Sequence, residues 1–170
     1  MKILLAEDEI DVAILYKTML EDRGHQITIT NNGEECLQVY HEELQNVTLN
    51  TDPSEHVQPF DAVILDYKMP KKDGMEVAKE ILAVNPHQRI IFASAYVKDV
   101  LIESVRQLNQ TVELIQKPFV EDVLVDTIED KEIYSQLQKL NINIDDIKAA
   151  NLRHEQLRDI LEVLKKLDKK

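Results

Sequence analysis

The chain has 170 residues, 44% of them hydrophobic, enough for the core of one domain and too many for a disordered chain. Its net charge of −12 argues against a nucleic-acid surface, and neither part is basic: residues 1–120 carry 11 Lys/Arg against 20 Asp/Glu, and residues 121–170 carry 9 against 12. Cys36 is the only cysteine, which excludes an internal disulfide, and no window of about eighteen apolar residues offers a membrane span. The apolar start at Met1–Ala6 is cut by Glu7-Asp8-Glu9, too early for a signal peptide, so a cytoplasmic protein is expected.

In chain order, Lys2–Ala6 reads as a short apolar strand. A helix is expected over Asp11–Arg23, with Val12, Leu15, Met19 and Leu20 near one face and Gly24 closing it. Gln26–Thr30 alternates apolar and polar residues and suits a strand near the sheet edge. Asn31-Asn32-Gly33 reads as a turn and Glu34–Glu43 as a second helix. Residues from Glu42 to Pro59 read as an insertion, with irregular chain marked by Asn50, Pro53 and Pro59, while Leu44, Val47 and Leu49 suggest either a longer helix or a flap packed on the surface.

Ala62–Asp66 is a buried strand ending in a carboxylate. Met69-Pro70 stops it, because proline has no N–H for a ladder. Lys71-Lys72-Asp73-Gly74 leads into a helix over Met75–Asn85, with Asp73 as its cap. Arg89–Ala93 is a strand, Val97–Asn109 a helix, Val112–Gln116 a fifth strand, and a further helix starts near Glu121. Cys36 reads as a small buried hydrophobe. The five histidines, at 25, 41, 56, 87 and 154, show no ligand spacing. Strand and helix alternate five times, which implies a parallel sheet covered by helices on both faces.

In such a sheet the carboxyl ends of all strands open on one edge. That edge collects Glu7-Asp8-Glu9, Asp66, Ser94 and Lys117, while the second strand offers only Asn31 and Asn32. Two carboxylates 4 Å apart repel by roughly 4 kcal/mol at an effective dielectric of 20, so the cluster calls for a cation. Oxygen-only donors suit Mg²⁺ better than zinc. With a hydroxyl and a lysine added, the edge suits phosphoryl chemistry, and a carboxylate can itself attack phosphorus to form an acyl phosphate. No glycine-rich nucleotide loop is present. Glu9 and Asp11 read as charges at a helix start.

Glu7-Asp8, Leu65-Asp66, Met69-Pro70-x-x-Asp73-Gly74, Ser94-Ala95 and Lys117-Pro118-Phe119 resemble the receiver domain of two-component response regulators. The resemblance covers about residues 1–128. It implies a flavodoxin-like, doubly wound α/β fold with a five-stranded parallel sheet in the order 2-1-3-4-5. It implies that Asp66 accepts a phosphoryl group from a partner histidine kinase or phosphotransfer protein. Asp8, Asp66 and the backbone carbonyl of Lys68 would bind Mg²⁺, with Glu7 helping through water. Ser94 and Lys117 would contact the phosphoryl group, and Lys117-Pro118 would be a cis peptide. Lys68 and Tyr96 would modulate the lifetime of the phosphate. Leu114 occupies the position where the family usually has an aromatic switch residue, so such a ring flip is not expected here.

On this reading, residues 1–129 form the receiver and 130–170 a helical extension. The protein is no enzyme beyond its own phosphorylation and dephosphorylation, and it acts on a downstream protein target. In the extension, Ile133, Leu137 and Leu140 make one apolar stripe. Asn143 or Asp145 would cap a second helix, whose stripe is Leu157, Ile160/Leu161, Leu164 and Leu167. The pattern suits a helical hairpin or a short coiled coil; three turns need a partner to be stable, and a homodimer or a docked partner is expected over packing in cis. Two other readings stay open: a degenerate receiver used only for interaction, and an aspartyl-phosphate phosphatase of the haloacid dehalogenase type. The second expects an acid two residues after the nucleophile, where this chain has Lys68.

Overall fold

A computed structural model describes residues 1–50, 58–95, 113–119, 121–140 and 154–168. Tyr96, the expected helix at 97–109, Val112 and the capping candidates Asn143 and Asp145 lie outside the described residues. The chain divides into two compact units, Met1–Phe119 and Val120–Lys170.

The first unit is built on five parallel strands, β1 (Lys2–Ala6), β2 (Gln26–Thr30), β3 (Ala62–Leu65), β4 (Ile90–Ser94) and β5 (Glu113–Gln116), in the order β2-β1-β3-β4-β5. The expected strand order is therefore the observed one, and it makes the sheet flavodoxin-like. Ala6 pairs with Thr30 on one side and with Leu65 on the other, so the chain reverses direction at β1. Right-handed crossovers on the two sides of β1 then put the helix after β1 and the helix after β2 on opposite faces, which opens a crevice at the carboxyl ends of β1 and β3. The central strands are buried on both faces, as their continuous apolar runs require.

Among the described residues, the helices of this unit are α1 (Ile10–Glu21), α2 (Gly33–Leu49) and α3 (Gly74–Val84). Leu4, Ala6, Val63, Leu65, Ile90 and Phe92 point to one side of the sheet and pack with Leu37 and Tyr40 of α2 and Val77 and Ile81 of α3. Gly24 ends the α1 connection at φ +82°, a conformation glycine adopts without strain. α3 starts in a capping box: the Glu76 N–H donates to Asp73 Oδ1 (2.8 Å), and the Asp73 N–H donates to Glu76 Oε2 (3.0 Å).

Three expectations are corrected. The residues of α1 turned into the protein are Ala13, Tyr16 and Leu20, whereas Leu15 is half exposed. Choosing the largest aliphatics rotated the face by about one position. The first part of the expected insertion is helix, since α2 continues to Leu49, the longer helix that Leu44 and Val47 also allowed; residues 51–57 lie outside the described residues. Leu37, Tyr40, Leu44 and Val47 keep helical spacing, and neither glycine nor proline interrupts the chain between Gly33 and Asn50. Asn50 closes the helix by donating from Nδ2 to the Asn46 carbonyl at 2.7 Å. β3 also ends one residue early, leaving Asp66 just beyond the strand.

The second unit contains α4 (Glu121–Lys139), which runs unbroken through 129–130, and α5 (His154–Asp168). Ile133 and Leu137 of α4 pack with Leu157 and Leu161 of α5, flanked by Leu140, Ile160 and Leu164. The α5 stripe therefore has a partner within its own chain, and it does not require the homodimer or docked protein that its length suggested.

Candidate functional site

Backbone bonds that continue the strand ladders fix three side chains at the crevice. The Glu7 N–H donates to the Thr30 carbonyl (3.0 Å), the Asp66 N–H to the Ala6 carbonyl (2.9 Å) and the Lys117 N–H to the Ser94 carbonyl (2.9 Å). Each residue stands one position past its strand, so its side chain is held by the sheet rather than by a loop. Carboxylate oxygens of Glu7, Asp8 and Asp66 come within 4.8 Å of one another. Glu7 is buried, Asp66 half-buried and Asp8 exposed.

Lys117 crosses the edge to this cluster. Its Nζ lies 2.5 Å from Glu7 Oε2 and 3.2 Å from Asp66 Oδ1. Burial pushes the Glu7 carboxyl above its usual range, against the Lys117 hydrogen bond and charge, and the neighbouring Asp66 pushes the same way. Burial also raises Asp66, against Lys117 and the Tyr67 N–H and with help from Asp8. Burial works to lower the Lys117 ammonium, but the Glu7 hydrogen bond and the charges of Asp66 and Glu7 outweigh it and raise its pKa. The three groups are thus mutually dependent: the carboxylates keep the lysine charged, and the lysine offsets part of their repulsion.

The turn after Asp66 is held equally tightly. The Gly74 N–H donates to the Tyr67 carbonyl at 2.9 Å, and a Cβ on Gly74 would stand 2.2 Å from the Asp66 carbonyl oxygen. A second close approach occurs at Gly33, where a Cβ would stand 2.3 Å from the Lys72 carbonyl oxygen. The Met-Pro-x-x-Asp-Gly sequence therefore serves both ends: Asp73 caps α3, and Gly74 lets the backbone pass the Asp66 peptide. Lys71 adopts φ +69° within this turn.

Of the other expected site residues, Ser94 is fully buried at the end of β4, and Lys68 is exposed two residues past Asp66. Leu114 lies opposite Phe92 on β5 and packs on the core of the sheet. Lys117-Pro118 is a cis peptide, as expected. Glu9 precedes α1 without a side-chain cap, and Asp11 lies in its first turn. The structure therefore brings Glu7, Asp8, Asp66 and Lys117 together. The sequence reasoning missed Tyr16, whose ring stacks on Phe119 (centroids 5.0 Å apart) and lies 5.9 Å from Lys117 Nζ. The only signal for it was an aromatic residue within the first helix.

The cluster has the donor set of a hard-cation site: oxygen ligands only, with Asp8 exposed and Asp66 half-buried where an ion can reach them, and Glu7 turned to Lys117. No helix among the described residues is long and apolar enough to cross a membrane.

Residues 3–129 match the family model for the response regulator receiver domain. The response regulator receiver protein CpdR of Brucella abortus is 28% identical over 75% of this chain and 93% of its own length. Sporulation initiation phosphotransferase F of Bacillus subtilis is 27% identical over 75% of this chain and 90% of its own. The response regulator TrrA of Thermotoga maritima, solved in complex with Mg²⁺-BeF, superposes with a TM-score of 0.57 at 28% identity, covering 76% of this chain and 96% of that one.

Proposed function

This chain belongs to the response regulator receiver family, and from that premise we propose that Asp66 is its phosphoacceptor. An Asp66 carboxylate oxygen attacks the phosphorus of a phosphohistidine on a partner kinase or phosphotransfer protein. The phosphorus–nitrogen bond breaks, the imidazole leaves with the bonding pair, and an acyl phosphate remains on Asp66. Water later attacks that phosphorus and restores the carboxylate. The protein catalyses no reaction beyond these two.

The observation that carries this reading is the Lys117 ammonium, held 3.2 Å from Asp66 and anchored at 2.5 Å by the buried Glu7. A cation fixed beside the nucleophile offsets charge on the incoming phosphoryl oxygens without having to reorganise. Ser94 donates its hydroxyl proton to a phosphoryl oxygen from the end of β4. Asp8, Asp66 and the Lys68 carbonyl would hold Mg²⁺, with Glu7 assisting through water. When bound, the ion supplies further positive charge to the phosphoryl oxygens. With Leu114 packed on the core in place of an aromatic ring, the phosphorylated state is passed on through Ser94, Tyr96 and the segment 97–109 to a protein target. Lys68, two residues past Asp66, slows hydrolysis by covering the phosphoryl group, and Tyr96 modulates the same rate. A cytoplasmic location belongs to the same reading, because the kinase partner presents its phosphohistidine there.

Incubation with acetyl phosphate and Mg²⁺ tests this. One acid-stable, base-labile phosphate is expected, and it should be absent from Asp66→Asn. No incorporation would favour a receiver that only binds partners. Steady release of phosphate from many added monoesters would favour the phosphatase reading.

A further inference from the structure

Lys117 has a third neighbour. Tyr16, buried on α1, presents its ring 5.9 Å from Lys117 Nζ, and the same ring stacks on Phe119 at 5.0 Å with 25° between the planes. One side chain therefore touches both the ammonium and the ring that ends the Lys117-Pro118-Phe119 segment. The other two partners of the ammonium, Glu7 and Asp66, are both carboxylates. One of those partners changes during the reaction, since Asp66 becomes an acyl phosphate, while the Glu7 carboxylate is unaltered. The Tyr16 ring does not change. It attracts the ammonium through its negative face and carries no formal charge that could compete with a phosphoryl group.

We propose that Tyr16 is a positioning residue for Lys117: its ring, clamped by Phe119, holds the ammonium over the crevice whether or not Asp66 carries phosphate. This inference rests on the roles given to Asp66 and Lys117 above. The ring face is the active feature, so phenylalanine replaces tyrosine and leucine does not.

The full-length protein labelled with ¹³C at the lysine ε-carbon gives a readout independent of phosphorylation. The Lys117 ε resonance should be displaced by the ring in the wild type and in Tyr16→Phe, and should move toward the positions of exposed lysines in Tyr16→Leu. In parallel, the rate of phosphate uptake from acetyl phosphate at saturating Mg²⁺ should fall about fivefold in Tyr16→Leu and stay within about twofold in Tyr16→Phe. In a Lys117→Gln background, Tyr16→Leu should add no further loss. Should Tyr16→Leu fail to protect Cys36 from thiol reagents, Phe119→Leu removes the stack from the other side and should displace the same resonance. An unmoved Lys117 resonance in the leucine variants, or equal defects in Tyr16→Phe and Tyr16→Leu, overturns the proposal. Absence of phosphate uptake in the wild type overturns the reading of Asp66 instead, and the resonance still decides the role of Tyr16.

Discussion

Replacing Lys117 with methionine keeps the length of the side chain and removes its charge. Glu7 is then left almost wholly buried, with Asp66 and Asp8 as its charged neighbours and no cation. Removing one partner of a buried ion pair costs about 3–5 kcal/mol. Partial exposure of the Lys117 and Asp66 side chains (16% and 13%) puts this case at the lower end, about 3 kcal/mol in the absence of metal. With a urea slope of about 2 kcal/mol/M, the midpoint falls by about 1.5 M. Cys36 provides the assay: it is fully buried, its thiol is pushed up to about 12, and it is the only cysteine, so labelling by a thiol reagent reports opening of the sheet unit. The pH dependence follows from the direction of the Glu7 shift. A carboxyl raised in the folded state contributes stability that is fully present below its ordinary 4.5 and is lost as pH rises through the folded value. Without Lys117 the folded value rises further, so the deficit of the variant grows from mildly acidic to neutral pH and shrinks on acidification. Adding Glu7→Gln should restore most of the loss. A midpoint unchanged at pH 7 would refute the dependence of buried Glu7 on Lys117.

Asp8→Ala should lose Mg²⁺ binding by calorimetry while keeping or raising its metal-free urea midpoint, because one of three mutually repelling carboxylates is gone. Gly74→Ala must move the Asp66 peptide away from a Cβ contact of 2.2 Å; it should cost about 2 kcal/mol and slow phosphate uptake at unchanged donor concentration. Leu157→Ala empties the fully buried centre of the α4–α5 cluster and should cost about 2–4 kcal/mol, read as loss of amide-exchange protection over 154–168.

The site residues were legible because strands that end in polar residues place those residues on one edge: Glu7, Asp66 and Lys117 each follow their strand by one position. Counting five strand–helix units gives a parallel sheet covered on both faces, and the strand order came with the resemblance of the site motifs to receiver domains. The length of α2 was left open between a longer helix and a flap, since Asn46 and Thr48 are indifferent helix formers and the packing of Leu44 on the core decides in favour of helix. The α1 face was misjudged for a related reason: Ala13 fits close to its neighbours where Leu15 does not, and size alone does not reveal which residue faces inward. Tyr16 became visible only when Phe119, 103 positions later in the sequence, was found stacked against it. The partner of α5 was left open between a helical hairpin, a second copy and a docked protein, because an apolar stripe states that a surface is buried and not what buries it.

The central claim is that Asp66 carries the phosphoryl group. Borohydride reduces an acyl phosphate to the alcohol, so treating the phosphorylated protein with it and sequencing the peptides by mass spectrometry identifies the modified residue. Homoserine at position 66, and at no other carboxylate of the Glu7-Asp8-Asp66 cluster, is the predicted result; homoserine at position 8, or an unreduced Asp66 in protein that has taken up phosphate, would contradict it.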